Sequence, residues 1–289
     1  MVSMGLWMRT RTKGPIPGVR YQGSKDPWLR CDTLSGYWMG CSDRMGDSDK
    51  IRMTQERRSI ELAKNRAFDR VEEINSALAS GEIDEAGWYE EIAGFITPAY
   101  LAGDNPRSQS GHSGDEAHWE WARSHILDGI DKDGTFLDVG CASGHLMESV
   151  RCWAEERGFD VEPYGVDISP ELANLARTRL PDWADRIFTG NAFHWKPPFK
   201  FNFVRTGLEY VPEKLRRAFV AHVLEEMVVP GGRLIVGSNN EEIEEIREGM
   251  TTEEMVASWG YEICGRSERM HFHDERLRYC SFWVEKKKV

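Results

Sequence analysis

From residue 135 onward, short apolar runs alternate with stretches whose apolar residues recur every three or four positions. Residues 135–139, 164–167, 186–189, 201–204 and 233–236 read as strands. Leu146, Val150 and Trp153 mark the inner face of a helix over 144–157. Ser169 and Pro170 open a second helix as its N-cap and first position. Phe219, Val223 and Met227 keep register on a third, over 212–227, before the Pro230-Gly-Gly232 turn. This alternation predicts an α/β fold: a parallel sheet with right-handed crossovers and helices on both faces.

Upstream the pattern is helical only. Ile60, Ala63, Ala67, Val71, Ile74 and Leu78 follow steps of three and four, with Thr54 as a cap and Ser80-Gly81 as a stop. Trp88, Ile92, Phe95 and Ile96 share one side of a second helix, predicted to end before Pro98. Residues 103–114 are turn formers, with three glycines, a proline and three serines. A third helix follows over 115–130, burying Trp119, Ala122, Ile126 and Ile130. Residues 54–114 are therefore expected to form a helical cap and a gating loop, whose Arg107, Gln109 and His112 could be brought over a site. Residues 1–53 lack Ala, Glu and any sustained apolar period, and carry +4 against −15 for the remainder. They are expected to be a poorly ordered extension, with Met45 or Met53 as alternative starts, in preference to a basic arm for an anionic partner.

The total charge of −11 argues against a phosphate-backbone partner, since such binding is driven by basic surfaces. No stretch approaches the length of a membrane span, and the first 20 residues carry no secretory pattern. Six scattered cysteines without a C-x-x-C pair read as free thiols in a reducing cytoplasm. Cys31 and Cys41 do not fit zinc spacing, and His271-x-His273 beside Asp274 places no third ligand, so no metal is expected. The acidic run 241–245 reads as a solvated helix face.

Open α/β sheets bind ligands beyond the carboxyl ends of their strands, at the switch point beside strand one. That end carries Asp138-Val-Gly-Cys-Ala-Ser-Gly144, and Asp167 ends strand two, 23 residues after Gly144, where a carboxylate can take two ribose hydroxyls. As a strand-end residue, Asp167 is expected outside the core. The middle glycine of the dinucleotide pattern G-x-G-x-x-G is missing. The turn resembles instead the first motif of class I S-adenosylmethionine-dependent methyltransferases, (D/E)-x-G-x-(G/A)-x-G, over about residues 115–289. The resemblance implies a Rossmann-like, seven-stranded, mostly parallel sheet in the order 3-2-1-4-5-7-6, with 261–266 and 279–284 as the last two strands. It further implies that Asp138, Gly140, Cys141, Ala142, Ser143 and Gly144 line the methionine part of S-adenosylmethionine. Asp167 would then hold the ribose, Ile168 an adenine face, and Asn191 with Ala192 the adenine edge, Asn standing for the usual Asp. Thr206, in the loop after strand four, would also face the cofactor.

Methyl transfer from a sulfonium is an in-line displacement that depends mainly on alignment. A base is needed only where the nucleophile holds its proton, and Glu209, Tyr210 and His194 are the candidates. The loop after strand four lacks (D/N)-P-P-(Y/F), and no Pro-Cys nucleophile occurs, which disfavours base methylation. With a helical roof, a small-molecule acceptor methylated on O, N or C is expected. RNA or protein methylation, a nicotinamide-dependent oxidoreductase and a module that binds cofactor without transfer are the alternatives.

Overall fold

The structure, a computed structural model, describes residues 69–247, 249–272 and 274–288. The expectations for residues 1–53, for the start of the first helix at Thr54 and for His273 lie outside them. Among the described residues seven strands form one sheet: β1 (Gly134–Val139), β2 (Val161–Asp167), β3 (Ile187–Thr189), β4 (Phe201–Thr206), β5 (Val228–Glu242), β6 (Gly265–Met270) and β7 (Leu277–Glu285). Their order is β3-β2-β1-β4-β5-β7-β6. β3, β2, β1, β4 and β5 pair in parallel, while β7 runs antiparallel to both of its neighbours.

Parallel neighbours require crossovers, and helices supply them. α4 (His145–Glu156) links β1 to β2, α5 (Pro170–Arg179) links β2 to β3, and α6 (Arg216–His222) lies between β4 and β5. Side chains of adjacent strand residues point to opposite faces, so each strand feeds two cores. Phe136, Phe203 and Ile235 pack with Trp119, Ile126, Leu146 and Val150. Leu137, Val204, Leu234 and Val236 pack on the other side with Phe219, Val220 and Val223. That second core also takes Ile74 of α1, seen over 69–80, and Trp88 of α2 (Glu85–Leu101).

Several boundaries differ from the sequence expectation. α2 does not stop at Pro98; it continues to Leu101 with the proline inside. The helix expected over 115–130 is α3 (Glu116–Arg123) followed by a 3-10 segment, Ser124–Gly129. That expected over 212–227 is a 3-10 turn, then α6, then a π turn over Val223–Met227. Glu241 and Glu242 finish β5, paired to Arg278 and Leu277, and are not helical. β6 begins at Gly265, four residues later than predicted. α7 (Thr252–Ser258), opened by a Thr251/Glu254 capping box, was not anticipated. The free-thiol expectation holds for Cys141, Cys264 and Cys280 and does not extend to Cys152. No described helix is long and apolar enough to cross a membrane.

The 3-10 segment after α3 is wedged against the sheet and carries His125, only 1% exposed. Burial pushes its imidazole down to about 4, against which a hydrogen bond with the Cys280 backbone works only partly. In the unfolded chain the group titrates near about 6.5, so between those values the unfolded state binds more protons and stability rises with pH. His125 therefore contributes about 3 kcal/mol less at pH 4 than at pH 7.5. Urea unfolding at both pH values, compared between the wild type and His125→Gln, should show the variant's pH dependence flatter by that amount.

Candidate active site

The turn after β1 is built around one unusual backbone. Gly140 and Gly144 have φ of 76° and 78°, and Ala142 has φ of 47°, the one non-glycine residue with positive φ among those described. An alanine in the left-handed region costs about 1–2 kcal/mol and persists only where its surroundings hold it. Here the Ala142 N–H donates to Asp167 Oδ2 at 2.8 Å. The same carboxylate accepts from the Ser169 N–H through Oδ1 at 2.9 Å, and so ties the β1–α4 turn to the β2–α5 turn. Gly144 then caps α4, and a Cβ there would come within 2.7 Å of Leu180. Asp167 is 6% exposed and makes structural bonds, so the expectation of a residue free of the core is corrected.

Across the sheet, Asp138 stands in register with Arg205 of β4. Both are buried, and Arg205 Nη1 lies 3.3 Å from Asp138 Oδ1. Burial raises the Asp138 carboxyl to about 6, while the neighbouring guanidinium pulls it back toward ionisation. Arg205 Nη1 also donates to the Tyr210 hydroxyl at 2.9 Å, which leaves the phenolic proton free to donate elsewhere. Burial raises the Tyr210 phenol well above its ordinary value, more than Arg205 lowers it. Tyr210 therefore stays protonated at neutral pH: it is a donor and not a base.

These groups wall a cavity of about 290 Å³ at the carboxyl ends of β1, β2 and β4. Of the sequence-predicted residues, Asp138, Gly140, Cys141, Ala142, Asp167, Ile168, Asn191, Ala192, Glu209 and Tyr210 line it. Four others do not. The Ser143 hydroxyl donates to the Pro106 carbonyl at 2.9 Å, and so must accept from Ser110 Oγ 2.8 Å away. Gly144 is spent on the helix cap. Thr206 is fully buried, its hydroxyl turned back onto the Gly207 carbonyl. His194 is on the surface, 3.1 Å from Glu85, and not on the cavity wall where it was expected. Asn191 Oδ1 accepts from the Phe193 N–H at 2.9 Å, so one carbonyl lone pair remains for a ligand.

The roof consists of α2, through Trp88, Tyr89, Ile92, Ile96 and Tyr100. The connection 103–114 contributes Ser110 and Gly111, not the three residues expected from it. Arg107 is engaged by Glu116 and the Gly114 carbonyl, Gln109 by the Gly103 carbonyl, and His112 packs on the His118 and Trp119 rings. Sequence reasoning missed Arg205 and Arg123 as wall residues. For Arg205 the local signal was weak, an arginine directly after the run Phe201-Asn-Phe-Val204.

Removing the Asp167 acceptor leaves two backbone N–H groups unpaired. Each costs about 1–3 kcal/mol, offset in part because the buried carboxylate itself is disfavoured. Asp167→Ala should lower unfolding stability by roughly 1–3 kcal/mol at pH 7, with Asp167→Asn closer to the wild type in the same urea titration.

No protein-family model matches the sequence, and no curated protein matches it. Solved structures do match in shape. The Burkholderia thailandensis 1,6-didemethyltoxoflavin-N1-methyltransferase, crystallised with 1,6-didemethyltoxoflavin and S-adenosylhomocysteine, is 16% identical with a TM-score of 0.52, over 71% of this chain and 92% of its own. The [4+2]-cyclase SpnF is 15% identical with a TM-score of 0.50, over 70% of this chain and 97% of its own. With the strand order and the turn after β1, these likenesses show that the chain has the Rossmann-like fold of the class I S-adenosylmethionine-dependent methyltransferases.

Proposed function

We propose that the chain transfers a methyl group from S-adenosylmethionine to a small-molecule acceptor. The observation that carries this reading is the roofed cavity itself, which joins the turn after β1, the Asp167 carboxylate and the Tyr210 hydroxyl in one space. Its size is near the lower end of small-molecule sites, and the roof favours a compact acceptor over a nucleic-acid duplex or a protein chain.

The donor set fits the cofactor. Each Asp167 oxygen already accepts one backbone N–H and keeps a lone pair, which suits two vicinal ribose hydroxyls. Ile168 offers an apolar side to a purine, Asn191 and Ala192 its polar edge, and Asp138, Gly140 and Ala142 the amino-acid portion. When bound, the cofactor supplies a methyl group on a sulfonium, already a good leaving group.

The remaining work belongs to the chain. Trp88, Ile92 and Ile96 exclude water from above. Arg205 fixes the Tyr210 ring, whose hydroxyl donates to an acceptor heteroatom and orients it; such alignment can supply up to roughly 7–11 kcal/mol. Glu209 lies on the cavity wall and takes the proton where the nucleophile carries one. The nicotinamide reading finds no support in the turn, where Ala142 stands in the region the missing glycine would serve.

Calorimetry separates these readings. S-adenosylmethionine and S-adenosylhomocysteine should bind and NAD should not; NAD binding without either would overturn the proposal. Asp167→Asn should weaken S-adenosylhomocysteine by about 1.5–3 kcal/mol, the range for hydrogen bonds to a charged group. Labelled S-adenosylmethionine incubated with fractionated metabolite pools should yield S-adenosylhomocysteine and a labelled product.

A further inference from the structure

Arg123, at the end of α3, is a cation on the cavity wall with no carboxylate partner among the described residues. Its Nη1 donates to the Asn239 side chain at 2.9 Å and to the Ala122 carbonyl at 3.2 Å, both neutral. The guanidinium lies 5.3 Å from the Trp119 ring centroid. The charged groups that act on it are a second cation, Arg205, and, with opposite sign, the Asp138 carboxylate. Arg205 is paired with Asp138, donates to Tyr210 and has Glu209 as a further negative neighbour, and its buried Nε has no hydrogen-bond partner. Two guanidinium groups thus serve one end of the cavity, and Arg123 has no carboxylate within ion-pair distance among the described residues. Arg123 is half-buried, and a partly desolvated cation without an ion-pair partner, beside a cavity, invites an anion.

The topology says which end this is. Asp167, Ile168 and Asn191 follow β2 and β3, on one side of β1 in the sheet order. Arg205 is on β4 and Asn239, which holds Arg123, is on β5, on the other side. The cavity is lined by the flat side chains of Trp88, Tyr100, Trp119 and Tyr210. Resting on the methyltransferase reading above, we propose that the acceptor is a carboxylic acid with a flat apolar body, its carboxylate anchored by Arg123 with Arg205 behind it. A guanidinium presents paired N–H donors that match the two oxygens of a carboxylate, which a neutral amide does not reproduce.

Benzoate and benzamide, equal in shape and different in charge, are the probes. Titrated into the chain saturated with S-adenosylhomocysteine, benzoate should bind about tenfold or more tighter than benzamide. Arg123→Met should abolish that preference, while Arg123→Lys, which keeps the charge, should restore part of it and reports on a correctly folded site. Equal binding of the two probes by the wild type overturns the proposal. So does an Arg123→Met variant that loses S-adenosylhomocysteine but binds 5′-methylthioadenosine normally, because the anion at Arg123 is then the cofactor's own carboxylate. If the wild type binds no S-adenosylhomocysteine at all, the methyltransferase reading itself fails, and the acceptor assignment falls with it.

Discussion

The carboxylate of Asp167 joins the turns that follow the first two strands, beyond the backbone pairing that already sets those strands side by side. Its two oxygens hold the Ala142 and Ser169 N–H groups, one from each of the first two β–α connections. The left-handed alanine depends on the first of these bonds, and the start of α5 is fixed by the second. With Ala142 held, Gly140 brings its backbone under the Tyr210 ring, where a Cβ would stand 3.1 Å away. The cavity wall is thus set by backbone geometry before any apolar side chain is counted. The group that stabilises the turn is also the one best placed to meet two hydroxyls.

A second, buried charge system lies opposite. Asp138 and Arg205 face each other across β1 and β4, and Tyr210 is added through the same guanidinium nitrogen. Buried ion pairs of this kind are weak contributors to stability, because desolvation offsets most of their attraction. Their value here is positional: they fix a phenol whose proton points away from its own partner. Fold likeness does not reach this level, since one structure of similar shape is a cyclase and another a methyltransferase. Chemistry has to be argued from these side chains.

The strands, the glycine turn and Asp167 are legible in the sequence because each carries a local signature: a short apolar run, a positive-φ pattern, an acid at a strand end. What is not legible depends on partners far along the chain. An arginine after Phe201-Asn-Phe-Val reads as the beginning of a loop, and only its register opposite Asp138 keeps Arg205 in β4. Arg123 resembles any basic residue in the last turn of a helix until Asn239 is found beside it. Glu241 and Glu242 look helical by composition, yet β7 recruits them into the sheet, an override of local preference by pairing. The Thr251–Glu254 capping box is a contrary case, a local signal that pattern reading passed over. The depth of α2's involvement was hidden by Pro98, which reads as a stop but sits within the helix one turn before its end.

The placement of β7 between β5 and β6 has a consequence for the outer margins of the sheet. One margin is β3, only three residues long. The other is β6, Gly-Arg-Ser-Glu-Arg-Met, whose alternate residues are exposed and whose Glu268 pairs with Arg266 and Arg278. Short length and interleaved charge are the devices by which natural sheets resist templating a neighbouring strand. Adding strands from another molecule is therefore disfavoured at both ends, and aggregation by sheet extension is discouraged by the same hairpin that completes the fold.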